Sequence, residues 1–126
     1  MHILSLLPKQ LQIRATVLTD LGIENLAWSG QDALDVITNL KKEDWAILGG
    51  DVLQWKDDGQ HIELTYDNWY LDKIPEWSWH EYVVRSYEHT RRYILAYLEA
   101  NKEKGIAFSF VVASLEQFDG LKQGSH

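Results

Sequence analysis

The dipeptide Asp58-Gly59, set between two arms of alternating polarity, constrains this chain more than any other feature. Asp-Gly in that setting is a strong hairpin signal, because glycine takes positive φ without a Cβ clash. A two-residue turn there sets Trp55 opposite Ile62 and Leu53 opposite Leu64, while Gln54 meets Glu63 and Lys56 meets His61. Apolar then faces apolar and polar faces polar, as a half-buried antiparallel pair requires. A slip of one residue would turn every apolar side chain outward. A type I′ turn is expected, with positive φ at both Asp58 and Gly59. Carried back towards Ala46-Ile47-Leu48, the same register places Asp51 opposite Tyr66 on the core face. Gly49-Gly50 reads as a bend or bulge.

Around this hairpin the rest of the chain alternates helical and extended signals. Pro8 opens a helix running to about Leu21 and closed by Gly22, although Ile13, Thr16, Val17 and Thr19 are β-branched. Leu26-Ala27-Trp28 is a short extended piece. Ser29 stands three residues before Asp32 in a capping-box spacing. It leads into a helix from about Gln31 to Lys41 with Ala33, Val36, Ile37 and Leu40 on one face. Ser78-Trp79-His80-Glu81 is a full capping box. Its helix runs to about Asn101, with Trp79, Val83, Ser86, Tyr87, Thr90, Ile94 and Tyr97 along one stripe. Glu81–Arg85 and Glu88–Arg92 are spaced as surface pairs on it. Ile106 to Ala113, rich in β-branched and aromatic residues, is a final strand. The expected fold is α+β: a small, mainly antiparallel sheet with a central hairpin, packed against about three helices. No repeat, low-complexity tract or linker interrupts residues 1–123, which read as one domain. Gly124-Ser125-His126 resembles the start of a purification tag and is set aside.

Charge narrows the function. The net charge of -7 is concentrated between Glu43 and Glu81, where ten acids face only Lys56 and Lys73, a local sum of -8. Binding phosphates needs cations, so nucleic acid is an unsuitable ligand; a basic protein is attracted instead. The apolar run Ile3 to Leu7 is too short for a signal-peptide core, and no stretch reaches the length of a membrane span. With no cysteines, disulfides and thiolate metal sites are excluded, and a reducing cytoplasm is the expected setting.

The groups that could carry chemistry do not assemble. The histidines form no metal-ligand spacing, no serine lies in a GxSxG context, and Gly49-Gly50 lacks the lysine of a phosphate loop. Neither metal nor cofactor is expected. Asp51, His61 and Asp67 are a conceivable acid/base group, but the hairpin register separates them, leaving Asp51 as a structural carboxylate. The segment's five tryptophans (Trp45, Trp55, Trp69, Trp77 and Trp79) exceed what one small sheet readily buries. Aromatic rings beside charges are the types that form binding hot spots. The expected partner surface is therefore Asp57, Asp58, Glu63, Asp67 and Asp72 for attraction, with Trp69, Tyr70 or Trp77 as an anchor.

Three segments carry a family likeness: Trp45-Ala46-Ile47-Leu48-Gly49-Gly50-Asp51-Val52, then Tyr66-Asp67-Asn68-Trp69-Tyr70, then Trp79 to Tyr87. With Leu21-Gly22-Ile23-Glu24-Asn25 and the helix near Asp32, they resemble a bacterial immunity family of polymorphic-toxin systems, immunity protein forty, over roughly residues 20–100. The resemblance implies a cytoplasmic protein encoded beside a toxin, such as the C-terminal domain of a contact-dependent inhibition effector. Such a protein binds that domain and blocks it with no chemistry of its own. Motifs shared among members that meet different toxins should mostly hold the fold. Enzyme and adaptor or oligomerisation module are the alternative roles.

Overall fold

A computed structural model describes residues 2–22 and 25–124. Ile23 and Glu24 of the Leu21–Asn25 segment, and Ser125 and His126, lie outside the described residues. The elements are α1 (Lys9–Arg14), β1 (Thr16–Val17), β2 (Leu26–Ser29), α2 (Gly30–Lys42), β3 (Ala46–Trp55), β4 (Ile62–Tyr70), α3 (Trp79–Ala100), β5 (Ile106–Ala113) and α4 (Leu115–Gly124). Short 3-10 turns at His2–Leu6 and Thr19–Leu21 complete the described chain.

The sheet order is β1-β2-β5-β3-β4, with every neighbouring pair antiparallel. β2 and β3 both run against β5, and β4 and β5 both run against β3. Each of these two parallel relations needs a crossover, which α2 and α3 supply. The last strand in sequence thereby enters the middle of the sheet, and its first five residues are all buried. The hairpin forms one edge, so β4 pairs with β3 alone among the described residues.

Helices α1, α2 and α3 cover one face of the sheet. There Trp28, Ile47, Val52, Trp69, Phe108 and Phe110 meet Leu11, Ile37, Leu40 and Ile94. The α2 residues expected to face the core, Ala33, Val36, Ile37 and Leu40, are its buried ones. The opposite face carries a smaller cluster of Leu53, Ala27 and Ala107 with Ile62 and Leu64, capped by Leu18. α4 extends the core at one end through Phe118, whose ring lies 5.3 Å from that of Trp79.

Several expectations need correction. The first helix stops at Arg14 instead of Leu21, because the β-branched pair Thr16-Val17 is drawn into an edge strand against Leu26 and Ala27. Ser29 is the N-cap of α2, but its side chain makes no capping bond, and Asp32 pairs instead with Arg14 at 3.1 Å. At α3 the Ser78 hydroxyl does accept the Glu81 N–H at 3.0 Å, while the Glu81 carboxylate turns to Arg85. Glu88 and Arg92 form no ion pair among the described residues.

The hairpin keeps its expected register: Leu53 faces Leu64, Gln54 faces Glu63 and Trp55 faces Ile62. Its turn is different. Only Gly59 has positive φ (68°), the Gly59 N–H reaches the Lys56 carbonyl at 2.9 Å, and Lys56 N–H reaches the His61 carbonyl at 2.8 Å. The connection is thus a four-residue loop around an ordinary turn rather than a type I′ pair. Asp58 supplies its closure, accepting the Gln60 and His61 N–H groups at 2.9 and 3.1 Å.

Candidate functional site

Beyond Leu53 the register breaks. From Leu53 to Asp51 is two steps on β3, but from Leu64 to Asn68 is four on β4, so residues 65–67 face Val52 alone. The bulge is pinned at three points. Thr65 Oγ1 donates to the Val52 carbonyl at 2.9 Å, Asp67 N–H donates to Thr65 Oγ1 at 3.1 Å, and the Tyr97 hydroxyl donates to Asp67 Oδ2 at 2.7 Å. At its apex Tyr66 is forced to φ 69° with its ring 84% exposed. Left-handed backbone at a bulky residue is costly, and such strain concentrates at functional positions. The other non-glycine residue at positive φ among the described residues, Asp44 (60°), lies just past the end of α2, where a left-handed residue commonly terminates a helix. Tyr66 has no such role. Sequence reading missed it as a separate candidate, because an even-length bulge leaves no mark in a pattern of alternation.

Asp51, expected opposite Tyr66 on a covered core face, instead faces Asn68 on one side and Ser109 on the other. It shares its face with Leu53, but the cover ends there and Asp51 is exposed. The supposed acid/base group does not form: Asp67 is held by Tyr97, and His61 is held by Asp58 beside the turn, at the far end of β4 from Asn68. No group of three metal-binding side chains occurs among the described residues.

The acids proposed for partner capture all lie exposed on the turn, on β4 or just beyond it. Among the described residues Asp57 and Asp72 have no cationic partner, whereas Glu63 lies 3.7 Å from Lys56. Backbone bonds from Gln60, with His61, hold Asp58 at about 2, below the ordinary 3.8. Burial, helped by the charge of Asp72, pushes Tyr82 up to about 12 while its hydroxyl donates to the Leu71 carbonyl at 2.6 Å.

The aromatic half of the expected surface is rearranged. Trp69 is only 5% exposed: its ring stacks on Tyr93 at 4.8 Å, and its indole N–H donates to Thr90 Oγ1 at 3.0 Å. It belongs to the core and cannot serve as an anchor. Trp77 is half-buried, stacked on Tyr82 at 6.2 Å with the Arg85 guanidinium 4.8 Å from its centroid. None of the five tryptophans is exposed; Trp69 packs against Thr90 and Tyr93 of α3, and Trp79 against Phe118 of α4. The exposed rings are Tyr66 and Tyr70, at 84% and 70%.

The likeness motifs explain themselves in this frame. A Cβ on Gly50 would lie 2.2 Å from the Ser109 carbonyl oxygen and 2.4 Å from the Trp69 ring, so the glycine makes room for the tryptophan. The Ser86 hydroxyl accepts the Ile47 N–H and donates to the Val83 carbonyl, both at 3.0 Å, joining α3 to β3. The model of the family described as Immunity protein 40 matches residues 17–112. The chain belongs to that family. The matched portion begins at the end of β1, ends within β5 and takes in β2, α2, β3, β4 and α3 between them. The match runs past the roughly 20–100 of the motif likeness and takes in most of the last strand; α1 and α4 fall outside it. No curated protein and no solved structure matched the chain.

Proposed function

We propose that this immunity-family chain is a stoichiometric inhibitor that binds a cognate toxin domain through an acidic sheet edge and blocks it without turnover. Family membership supports a toxin as the partner. The observation that carries the rest is the composition of one edge. Asp57, Asp58, Glu63, Asp67 and Asp72 are all exposed there, with the exposed rings of Tyr66 and Tyr70 set among them. A toxin that acts on nucleic acid must itself be cationic at its site, and such a surface is drawn to this field. The acids then act mainly on association and are screened by salt, while a desolvated aromatic ring acts on dissociation. Tyr66 and Tyr70 take the anchor role. Tyrosine suits it, offering a broad apolar body and a hydroxyl at low conformational cost. The cytoplasm of a cell carrying the toxin gene, as in contact-dependent inhibition, is the proposed place of action, and the absence of cysteine is in keeping with it.

The test is an inhibition titration against the toxin domain encoded beside this chain. Toxin activity should fall linearly and vanish at an equimolar ratio. Complete protection by a small fraction of an equivalent would indicate an enzyme, and undiminished toxin activity at excess would overturn the assignment.

A further inference from the structure

The uncovered end of the second sheet face contains a feature that none of the acids named above explains. Val111, Gly49 and Tyr70 form one row across β5, β3 and β4, and Ser109, Asp51 and Asn68 form the next row. Gly49 has no side chain, and a Cβ there would lie 2.4 Å from the Trp69 carbonyl oxygen. A shallow depression of about 290 Å³ is left, bordered by Tyr70 and by Val111, which is 50% exposed. Asp51 is among the residues lining it and is exposed, its carboxylate with neither hydrogen-bond nor cationic partner among the described residues. An unpaired carboxylate, an adjacent amide, an exposed phenol ring and an exposed aliphatic wall complement one side chain better than any other. A guanidinium binds a carboxylate through two parallel N–H donors, its plane stacks on an aromatic ring, and its methylene stem covers apolar surface. A lysine ammonium offers no planar fork and stacks less well. The surrounding segment's net -8 favours a cationic visitor.

Resting on the inhibitor role proposed above, we infer that this depression is the seat of one arginine of the toxin, with Asp51 pairing its guanidinium and Tyr70 stacking on it. Asp51 is then a specificity-determining residue, and the Leu-Gly-Gly-Asp segment serves recognition as well as packing.

Two measurements test this. First, N-acetyl-arginine amide is titrated into the free protein and followed by amide NMR. Shifts should concentrate at Gly49, Asp51, Asn68, Tyr70 and Val111, be weaker with N-acetyl-lysine amide, and disappear in Asp51→Asn. Shifts spread over the acidic edge, or equal for both probes, or unchanged in Asp51→Asn, would overturn the site. Second, Asp51→Asn and Tyr70→Ala are compared with wild type against the toxin domain encoded beside this chain. Each should release the toxin at least about 30-fold faster. Both residues are exposed, so the melting temperature should stay near that of wild type. Wild-type dissociation rates in Asp51→Asn, with equimolar inhibition intact, would remove the arginine seat and leave the inhibitor role standing. If wild type fails to inhibit at all, the inhibitor role falls and the arginine titration still judges the seat.

Discussion

Replacing Tyr66 by glycine should make the protein more stable and a poorer inhibitor at once. Tyr66 is held at φ 69°, where a residue with a Cβ loses about 1–2 kcal/mol relative to right-handed backbone. Glycine relieves that strain but adds about 0.5–1 kcal/mol of unfolded-chain entropy. The ring is 84% exposed, so its removal costs little packing, within about 0.5 kcal/mol. The net expectation is a gain between zero and about 1.5 kcal/mol, centred at ~0.7 kcal/mol, or a rise of a few degrees in melting temperature for a chain of this size. Tyr66→Ala keeps the strain and loses the ring, so its stability should match wild type. Against the toxin both variants should lose about 2 kcal/mol or more, roughly 30-fold in affinity, if the ring is an anchor. Thermal unfolding and surface-binding kinetics on the three proteins provide the readings. A glycine variant no more stable than the alanine variant would refute the strain. Wild-type dissociation rates in both would refute the anchor.

Trp69→Ala should cost about 3–5 kcal/mol by urea unfolding, since the ring is 5% exposed and stacked, and its loss leaves Thr90 without its indole partner. Gly50→Ala should destabilise by about 1–3 kcal/mol in the same assay, because the new methyl meets both a backbone carbonyl and the Trp69 ring. The depressed Asp58 carboxylate stabilises the turn above its ordinary value of 3.8, and that contribution fades as pH falls towards about 2. Asp58→Asn should therefore be less stable than wild type at about pH 6, with the gap closing near pH 2; a gap independent of pH would rule out the carboxylate as its source.

Wherever a periodic apolar pattern met a local signal, sequence was enough. The α2 face, the capped start of α3 and the inner hairpin register all follow from side chains that bury only one way. Thr16-Val17 had the composition of a strand, yet its partner in β2 is non-local, and the proline start nearby argued for helix. α4 was legible in principle: Ser114 and Gln117 form a reciprocal cap, with Gln117 N–H to Ser114 Oγ at 3.2 Å and Ser114 N–H to Gln117 Oε1 at 3.4 Å. Without α4, Trp79 would be open to a partner, since Phe118 helps cover it. The bulge at residues 65–67 is a tertiary product, held by Tyr97 thirty positions away from Asp67. It alone decides that Tyr66 is displayed and that Asp51 meets Asn68. The acidic edge was visible as composition, but which aromatic rings stand beside it depended on packing.

Capture by the acidic edge is tested most directly by the association rate constant for the cognate toxin domain, measured by stopped flow at low and high ionic strength. The variant to compare carries Asp57→Lys, Glu63→Lys and Asp72→Lys, leaving Asp58 in place because its carboxylate closes the turn. Wild type should associate fast at low salt and slow steeply as salt rises. The triple variant should associate several-fold more slowly, with a nearly flat salt dependence. Association insensitive to salt, with the triple variant matching wild type, would contradict capture by this edge and move the interface elsewhere on the protein.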